Sequence, residues 1–131
     1  MANPSEITTT ECTANSSVAQ PAVVTLDTAG TVPINLGGRG FERVIVEAIN
    51  TDDASATLTF KAGGNPPAIQ SRALAVTLGA TGGGSDKKII GPFSSSQFAQ
   101  NGSDAGEMHV TLAGGASPTV TLRVYRLPKY V

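Results

Sequence analysis

His109 is the only histidine in this chain and the side chain best suited to general acid–base chemistry. It follows Met108 and precedes Val110 in a strand-like segment, so period-2 alternation places it on the face opposite the apolar residues. A serine hydrolase needs a nucleophile, a general base and an orienting acid. A nucleophile elbow has a glycine two residues before its serine and lies in a strand–turn–helix context. The segment Gly102-Ser103-Asp104-Ala105-Gly106 lacks both features. We therefore predict that the chain is not an enzyme.

The glycine-rich stretch from Gly79 to Lys88 invites comparison with a phosphate-binding loop. Such a loop has Lys and Ser or Thr directly after its last glycine and leads into a helix. Here Ser85 and Asp86 follow Gly84, and the next segment has the pattern of a strand. The sequence predicts a connection between strands and no nucleotide cofactor.

Carboxylates that could bind a metal occur in pairs, Asp52 with Asp53 and Asp104 with Glu107. Calcium sites need more oxygen ligands at patterned spacings, and Asp in turns is favoured for its hydrogen bonds to the local backbone. Cys12 is the only cysteine, which excludes an intramolecular disulfide and a cysteine-built zinc site. We predict no metal and no cofactor.

The charge balance argues against a nucleic-acid partner. Nine basic and ten acidic residues give a formal net charge of -1, whereas nucleic-acid binders usually carry a basic excess. We interpret the basic residues Arg123, Arg126 and Lys129 as a solvated strand edge. No stretch approaches the roughly 20 apolar residues that span a bilayer. The first residues also lack the pattern of a secretory signal, so we expect synthesis in a cytoplasm and no membrane partner.

From Pro21 onward the chain reads as short strands separated by Gly, Pro, Asn and Asp clusters. The clearest strand is Ala56 to Ala62, in which apolar and polar residues alternate. We also predict that the last two strands form a hairpin. The predicted strands are Val23 to Leu26, Val32 to Leu36, Val44 to Ile49, Ala56 to Ala62, Leu74 to Leu78, Lys88 to Phe93, Met108 to Leu112 and Thr119 to Arg126.

Closely spaced strands with no helical periodicity predict an all-β fold, either a sandwich or a barrel. We favour an antiparallel β-sandwich, for which a jelly roll is one suitable topology, over residues 21–131. Residues 1–20 are polar and without periodicity, and we predict a flexible N-terminal arm there. Two states fit this arm: a disordered tail, or a segment that becomes ordered on a partner.

Three stretches of the chain carry a resemblance to a known group of proteins. They are Val44-Ile45-Val46-Glu47-Ala48-Ile49-Asn50-Thr51, then Ile90-Gly91-Pro92-Phe93 with Phe98 following, and Val124-Tyr125-Arg126-Leu127-Pro128. In order and style the chain resembles the small β-sandwich decoration, or cement, proteins that coat the heads of tailed bacteriophages. The middle stretch predicts a strand that ends at Gly91-Pro92, a turn, and a Phe that returns to the core.

This resemblance implies a structural virion protein that binds the outside of an assembled capsid and stabilises it. Its partner would be the shell of the major capsid protein, its location the virion surface, and its state a homotrimer. Contacts would come from the arm and from loops, at Ile7, Val18, Arg39, Phe41, Asn65, Pro66 and Pro67. We further expect that deleting residues 1–20 abolishes shell binding without unfolding the body.

Two other functions remain open at this point. The chain could be another virion component, such as a tail, fibre or collar module. It could also be a soluble module that binds a carbohydrate or another ligand. Sugar sites stack on exposed aromatic rings, and the chain has no Trp, two Tyr and four Phe, with Tyr125 and Tyr130 as candidates. Copy number per particle separates the virion functions, and saccharide binding would identify the module.

Overall fold

The computed structural model describes residues 6–28, 30–36, 40–51, 54–63, 73–79, 86–100, 106–114 and 120–128. These residues form two packed β-sheets, so the predicted all-β sandwich is confirmed. Two single-turn helical segments interrupt the strands, a 3-10 turn at Phe41–Arg43 and helix α1 at Ser95–Phe98. The strands are β1 Ile7–Thr8, β2 Thr10–Glu11, β3 Val24–Leu26, β4 Thr31–Asn35, β5 Val44–Asn50, β6 Ala56–Phe60, β7 Leu74–Leu78, β8 Asp86–Ile90, β9 Glu107–Gly114 and β10 Val120–Arg126.

Period-2 alternation determines which side chains enter the core. In β5 and β10 every second residue is buried, and β9 does the same as far as Leu112. Because successive side chains of a strand point to opposite faces, one set from each sheet meets in the middle of the sandwich. The largest fully buried side chains include Phe41, Phe60, Leu58, Leu78 and Leu122.

The strand order is that of an eight-stranded jelly roll. Sheet A has the order β1-β4-β9-β6-β7, and in sheet B the order is β2-β10-β5-β8 with β3 also paired to β10. Without β1 and β2, the two sheets are β4-β9-β6-β7 and β3-β10-β5-β8, and all six of their pairings are antiparallel. The chain crosses between sheets at most connections, as in a jelly roll.

The predicted hairpin between the last two strands is wrong. Strand β9 lies in sheet A between β4 and β6, whereas β10 lies in sheet B and pairs with β5. Both strands direct one apolar set inward, and this pattern is equally compatible with neighbours in one sheet and with partners across the core. Alternation fixes the face of a strand but not its neighbour.

The N-terminal segment belongs to the sandwich for part of its length. Strand β1 pairs in parallel with β4, and β2 pairs in parallel with β10. The Thr9 hydroxyl donates to the carbonyl of Asn35 at 2.8 Å, and the Cys12 amide donates to the carbonyl of Arg126 at 2.8 Å. The boundary predicted at residue 20 therefore does not mark where packing begins, because residues 7–12 cover the edges of both sheets.

An aromatic cluster at Phe60, Phe93 and Phe98 confirms the predicted return to the core after Gly91-Pro92. The ring centroids of Phe60 and Phe93 lie 5.2 Å apart, and those of Phe93 and Phe98 lie 5.4 Å apart, edge to face. Strand β8 ends at Ile90, and Gly91 has a φ of 123°. This turn directs Phe93 inward, and α1 then brings Phe98 against it.

Candidate functional site

The residues proposed as partner contacts fall in three different environments. Ile7 and Phe41 are each 1% exposed and pack in the core, so we correct both to core residues whose side chains are not offered to a partner. The cause is local: β1 aligns Ile7 with Ile34, and the 3-10 turn carries Phe41 inward. Val18 is 41% exposed. Arg39, Asn65, Pro66 and Pro67 lie outside the described residues.

His109 lies on the outer face of sheet A, half-buried, as its alternation predicts. Its Nε2 atom is 3.9 Å from a carboxylate oxygen of Glu107. Among the described residues no group of three or more His, Cys, Asp and Glu side chains is arranged to hold a metal ion, and no helix has the length and apolar character needed to cross a membrane. The Asp52–Asp53 pair, Ser103, Asp104 and the glycine run 80–85 lie outside the described residues.

The outer face of sheet A carries two rows of small side chains beside Glu107 and His109. The register places Thr31, Thr111 and Thr59 side by side across β4, β9 and β6, with Ala75 next to them in β7. A second row aligns Ala113, Thr57 and Thr77. In these two rows no side chain is larger than threonine. This face, which we call the threonine face, resembles an ordinary solvated sheet surface.

The outer face of sheet B differs because it carries large apolar side chains. Strand β5 directs Ile45 and Ile49 outward, and both are half-buried by their neighbours. Across the sheet, Ile45 lies opposite Tyr125 of β10. Ile89 of the edge strand β8 is 74% exposed, the highest exposure among the large hydrophobic side chains described. These four residues define what we call the isoleucine face.

An ion pair crosses the middle of the isoleucine face. The Arg123 guanidinium donates through Nη1 to Glu47 Oε1 at 2.8 Å, and through Nε to the carbonyl of Pro21 at 3.0 Å. The register aligns Arg123 with Glu47, and Glu47 with Ile89. The pair neutralises both charges and fixes two long side chains. The face is thus held in a defined shape, with apolar residues on either side of the ion pair.

The edges of both sheets are occupied by features that oppose further strand pairing. Strands β1 and β2 cover β4 and β10. At the other side, β8 carries Lys87 and Lys88, and charged side chains on an edge strand disfavour pairing with another chain. Lys88 Nζ donates to the carbonyl of Thr77 at 2.6 Å, and the Gly79 amide donates to Asp86 Oδ2 at 2.6 Å. These bonds join the edges of the two sheets.

Arg126 holds the N-terminal segment in place. Its side chain is 4% exposed, and its Nη1 atom lies 2.8 Å from Glu11 Oε2. Its Nη2 atom donates to the carbonyl of Leu36, and its buried Nε atom has no hydrogen-bond partner. Our interpretation of Arg126 as part of a solvated strand edge is therefore wrong. The same alternation that directs Val124 inward also directs Arg126 inward.

Sequence reasoning did not identify the isoleucine face, although a signal for it was present. The run Val44-Ile45-Val46 and the pair Ala48-Ile49 make β5 apolar on both sides, as in strands covered on both faces. Among the described residues, only one side of β5 packs against the other sheet. The apolar residues on the other side are the reason for considering a partner.

Comparison of the chain with protein-family models, with curated proteins and with solved structures gives no significant match.

Proposed function

We propose that this chain is a structural virion protein that binds the outside of an assembled tailed-phage capsid and stabilises the shell. The observation that carries the proposal is the difference between its two sheet surfaces. The threonine face carries threonine and alanine side chains together with His109 and Glu107, and the isoleucine face presents Ile45, Ile49, Ile89 and Tyr125. A protein that lies on a shell has one side against protein and the other in water, and these two surfaces match those two environments.

The covered sheet edges support the same proposal. A decoration protein is present at high local density on a shell, so exposed strand edges would invite pairing between neighbouring copies. Here β1 and β2 cover one pair of edges, and the Lys88–Thr77 bond spans the other side. Neighbouring copies of such a domain can lie close together on a surface without pairing their edge strands.

Stabilisation of the shell would follow from mass action. A ligand that binds only the assembled state shifts the equilibrium toward that state by RT ln(1 + [L]/Kd). If the chain recognises a surface formed by adjoining shell subunits, it has no binding site on separate subunits. The homotrimer implied by the resemblance would multiply these contacts, and native mass spectrometry measures that state directly.

The test is the number of copies of this chain per particle, measured by quantitative mass spectrometry on virions purified from its source. We expect a number comparable to that of the major shell subunit, and we expect particles without the protein to release their DNA at a lower temperature. A count of a few copies would instead identify a tail, fibre or collar component. Absence from particles, together with saccharide binding by the isolated chain, would identify a soluble module.

A further inference from the structure

We infer that the isoleucine face is the surface that docks on the shell, and that the shell surface it meets is apolar at its centre with carboxylates at its rim. This inference rests on the proposed function and specifies the face and the chemistry of its partner. The alternative surfaces on the described part of the chain are the threonine face, the exposed N-terminal stretch around Val18, and the strand edges.

Ile89 is the most exposed of the four residues of the isoleucine face. Its side chain is 74% exposed in an edge strand where polar residues would serve solubility. Glu47 lies next to it in the register, and Ile45 and Ile49 lie on either side of Glu47 along β5. Interface centres are depleted of charged residues, and the two charges between these isoleucines are already paired with each other.

The charges around these residues specify the partner. Among the described residues, the outward side of sheet B carries Lys87, Arg123 and Glu47, whereas Lys88 is aligned with buried Ala48 and donates to the carbonyl of Thr77 in sheet A. Arg123 and Glu47 pair with each other, so Lys87 leaves this side with a net charge of +1, although the whole chain has a net charge of -1. Electrostatic complementarity therefore favours a partner surface that carries carboxylates where it meets Lys87.

The same charges argue against a second copy packed face to face. That arrangement would bring two surfaces of net +1 together, and juxtaposed like charges are unfavourable. Pairing of two copies through β8 is also disfavoured, because this edge strand carries two charged side chains, Lys87 and Lys88. The occupant that fits is a different protein surface, and in the proposed setting this is the shell.

Two pairs of variants test the inference by co-sedimentation with particles from which this protein has been stripped. Lys87→Glu is compared with Lys61→Glu, which makes the same charge change at an exposed lysine beside the threonine face. Ile89→Ser is compared with Leu74→Ser, which removes an exposed apolar side chain from β7 of sheet A. Circular dichroism and thermal melting establish that each variant is folded.

We expect Ile89→Ser to weaken particle binding about tenfold, since it removes an apolar side chain that docking would bury. Lys87→Glu should weaken binding by a similar factor and reduce its dependence on salt. Lys61→Glu and Leu74→Ser should bind like the wild type. A photo-crosslinking amino acid at position 89 should link to the shell subunit, and one at position 59 should not.

Each other outcome overturns a defined part of this account. If the wild type binds particles and both isoleucine-face variants bind equally well, the inference is wrong while the proposed function stands. If the control variants lose binding instead, docking uses another surface. If the wild type self-associates in solution and Ile89→Ser abolishes this, the face is covered by a second copy. If the wild type does not bind particles, the proposed function fails as well.

Discussion

Replacing Ile7 by Ala should destabilise the fold strongly, although Ile7 belongs to a segment with the composition of a loose arm. The side chain is 1% exposed and packs in the core below β4. Loss of three buried carbons is worth about 2.4 kcal/mol at roughly 0.8 kcal/mol each. The remaining cavity adds to this, so we expect a loss of about 3 kcal/mol in the free energy of unfolding. For a domain of this size the melting temperature should fall by about 10 °C.

The matched control is Ile89→Ala, the same substitution in a regular strand of the body. Ile89 is 74% exposed, so only about a quarter of the transfer energy is at stake, which is about 0.6 kcal/mol. Sequence position alone predicts the opposite order of the two losses in the free energy of unfolding, with no loss for Ile7→Ala in the arm and a large loss for Ile89→Ala in the strand. The comparison therefore tests whether residues 7–12 belong to the fold.

Urea unfolding followed by circular dichroism measures both variants, with the slope of the transition compared to confirm that the same surface unfolds. A loss for Ile7→Ala that is no larger than the loss for Ile89→Ala would refute the placement of β1 in the core. It would restore the interpretation of residues 1–20 as a free arm. Our expectation that deletion of residues 1–20 leaves the body folded is withdrawn on the same grounds, because the deletion removes Ile7 and uncovers both sheet edges.

Three further substitutions test how the two sheets and the N-terminal segment are held, each measured by the same urea unfolding. Asn50→Leu should lower the free energy of unfolding by about 1–3 kcal/mol, because Asn50 is fully buried and its Nδ2 lies 3.0 Å from the carbonyl of Ala54 and 3.2 Å from that of Gly79. An unchanged urea midpoint would refute this expectation. Gly91→Ala should lower the free energy of unfolding by about 1–3 kcal/mol, because the φ of Gly91 is 123° and a Cβ there would lie 2.6 Å from the carbonyl oxygen of Val44. A gain in stability would contradict this backbone conformation. Glu11→Gln should lower the free energy of unfolding by about 1 kcal/mol, because it removes the carboxylate 2.8 Å from buried Arg126. An unchanged free energy of unfolding would mean that the ion pair does not hold β2.

The strands of the body could be predicted from sequence because alternation is a local property. Ala56 to Ala62 and Thr119 to Arg126 were predicted within two residues of the observed β6 and β10. The outward position of His109 was also predicted correctly. A residue's own neighbours along the chain are sufficient to decide these points.

The pairing of strands could not be predicted because it depends on contacts far apart in sequence. Strand β10 pairs with β5, about 75 residues away in the register of Leu122 with Ala48, and not with the adjacent β9. The parallel pairing of β1 and β2 is harder still, since strands of two residues give no periodic signal. Ile7 lies between the polar residues Glu6 and Thr8, and only the structure shows what it contacts.

The isoleucine face could not be predicted from the sequence for a related reason. The predicted contacts were sought in loops and in the arm, where partners often bind. The isoleucine face instead lies on regular strands, and it is recognised only when Ile45, Ile89 and Tyr125 are placed on one surface by the sheet register. Glu47 and Arg123 likewise become a pair only through that register.

The most direct test of the central claim is a cryo-electron microscopy reconstruction of particles purified from the source of this chain. Our account predicts density for the jelly roll on the outer surface of the shell, with Ile89 and Tyr125 directed at the shell subunits and the threonine face directed at solvent. A reconstruction in which the sandwich lies on the shell with the threonine face inward would contradict the docking surface. A shell with no density for this chain would contradict the function itself.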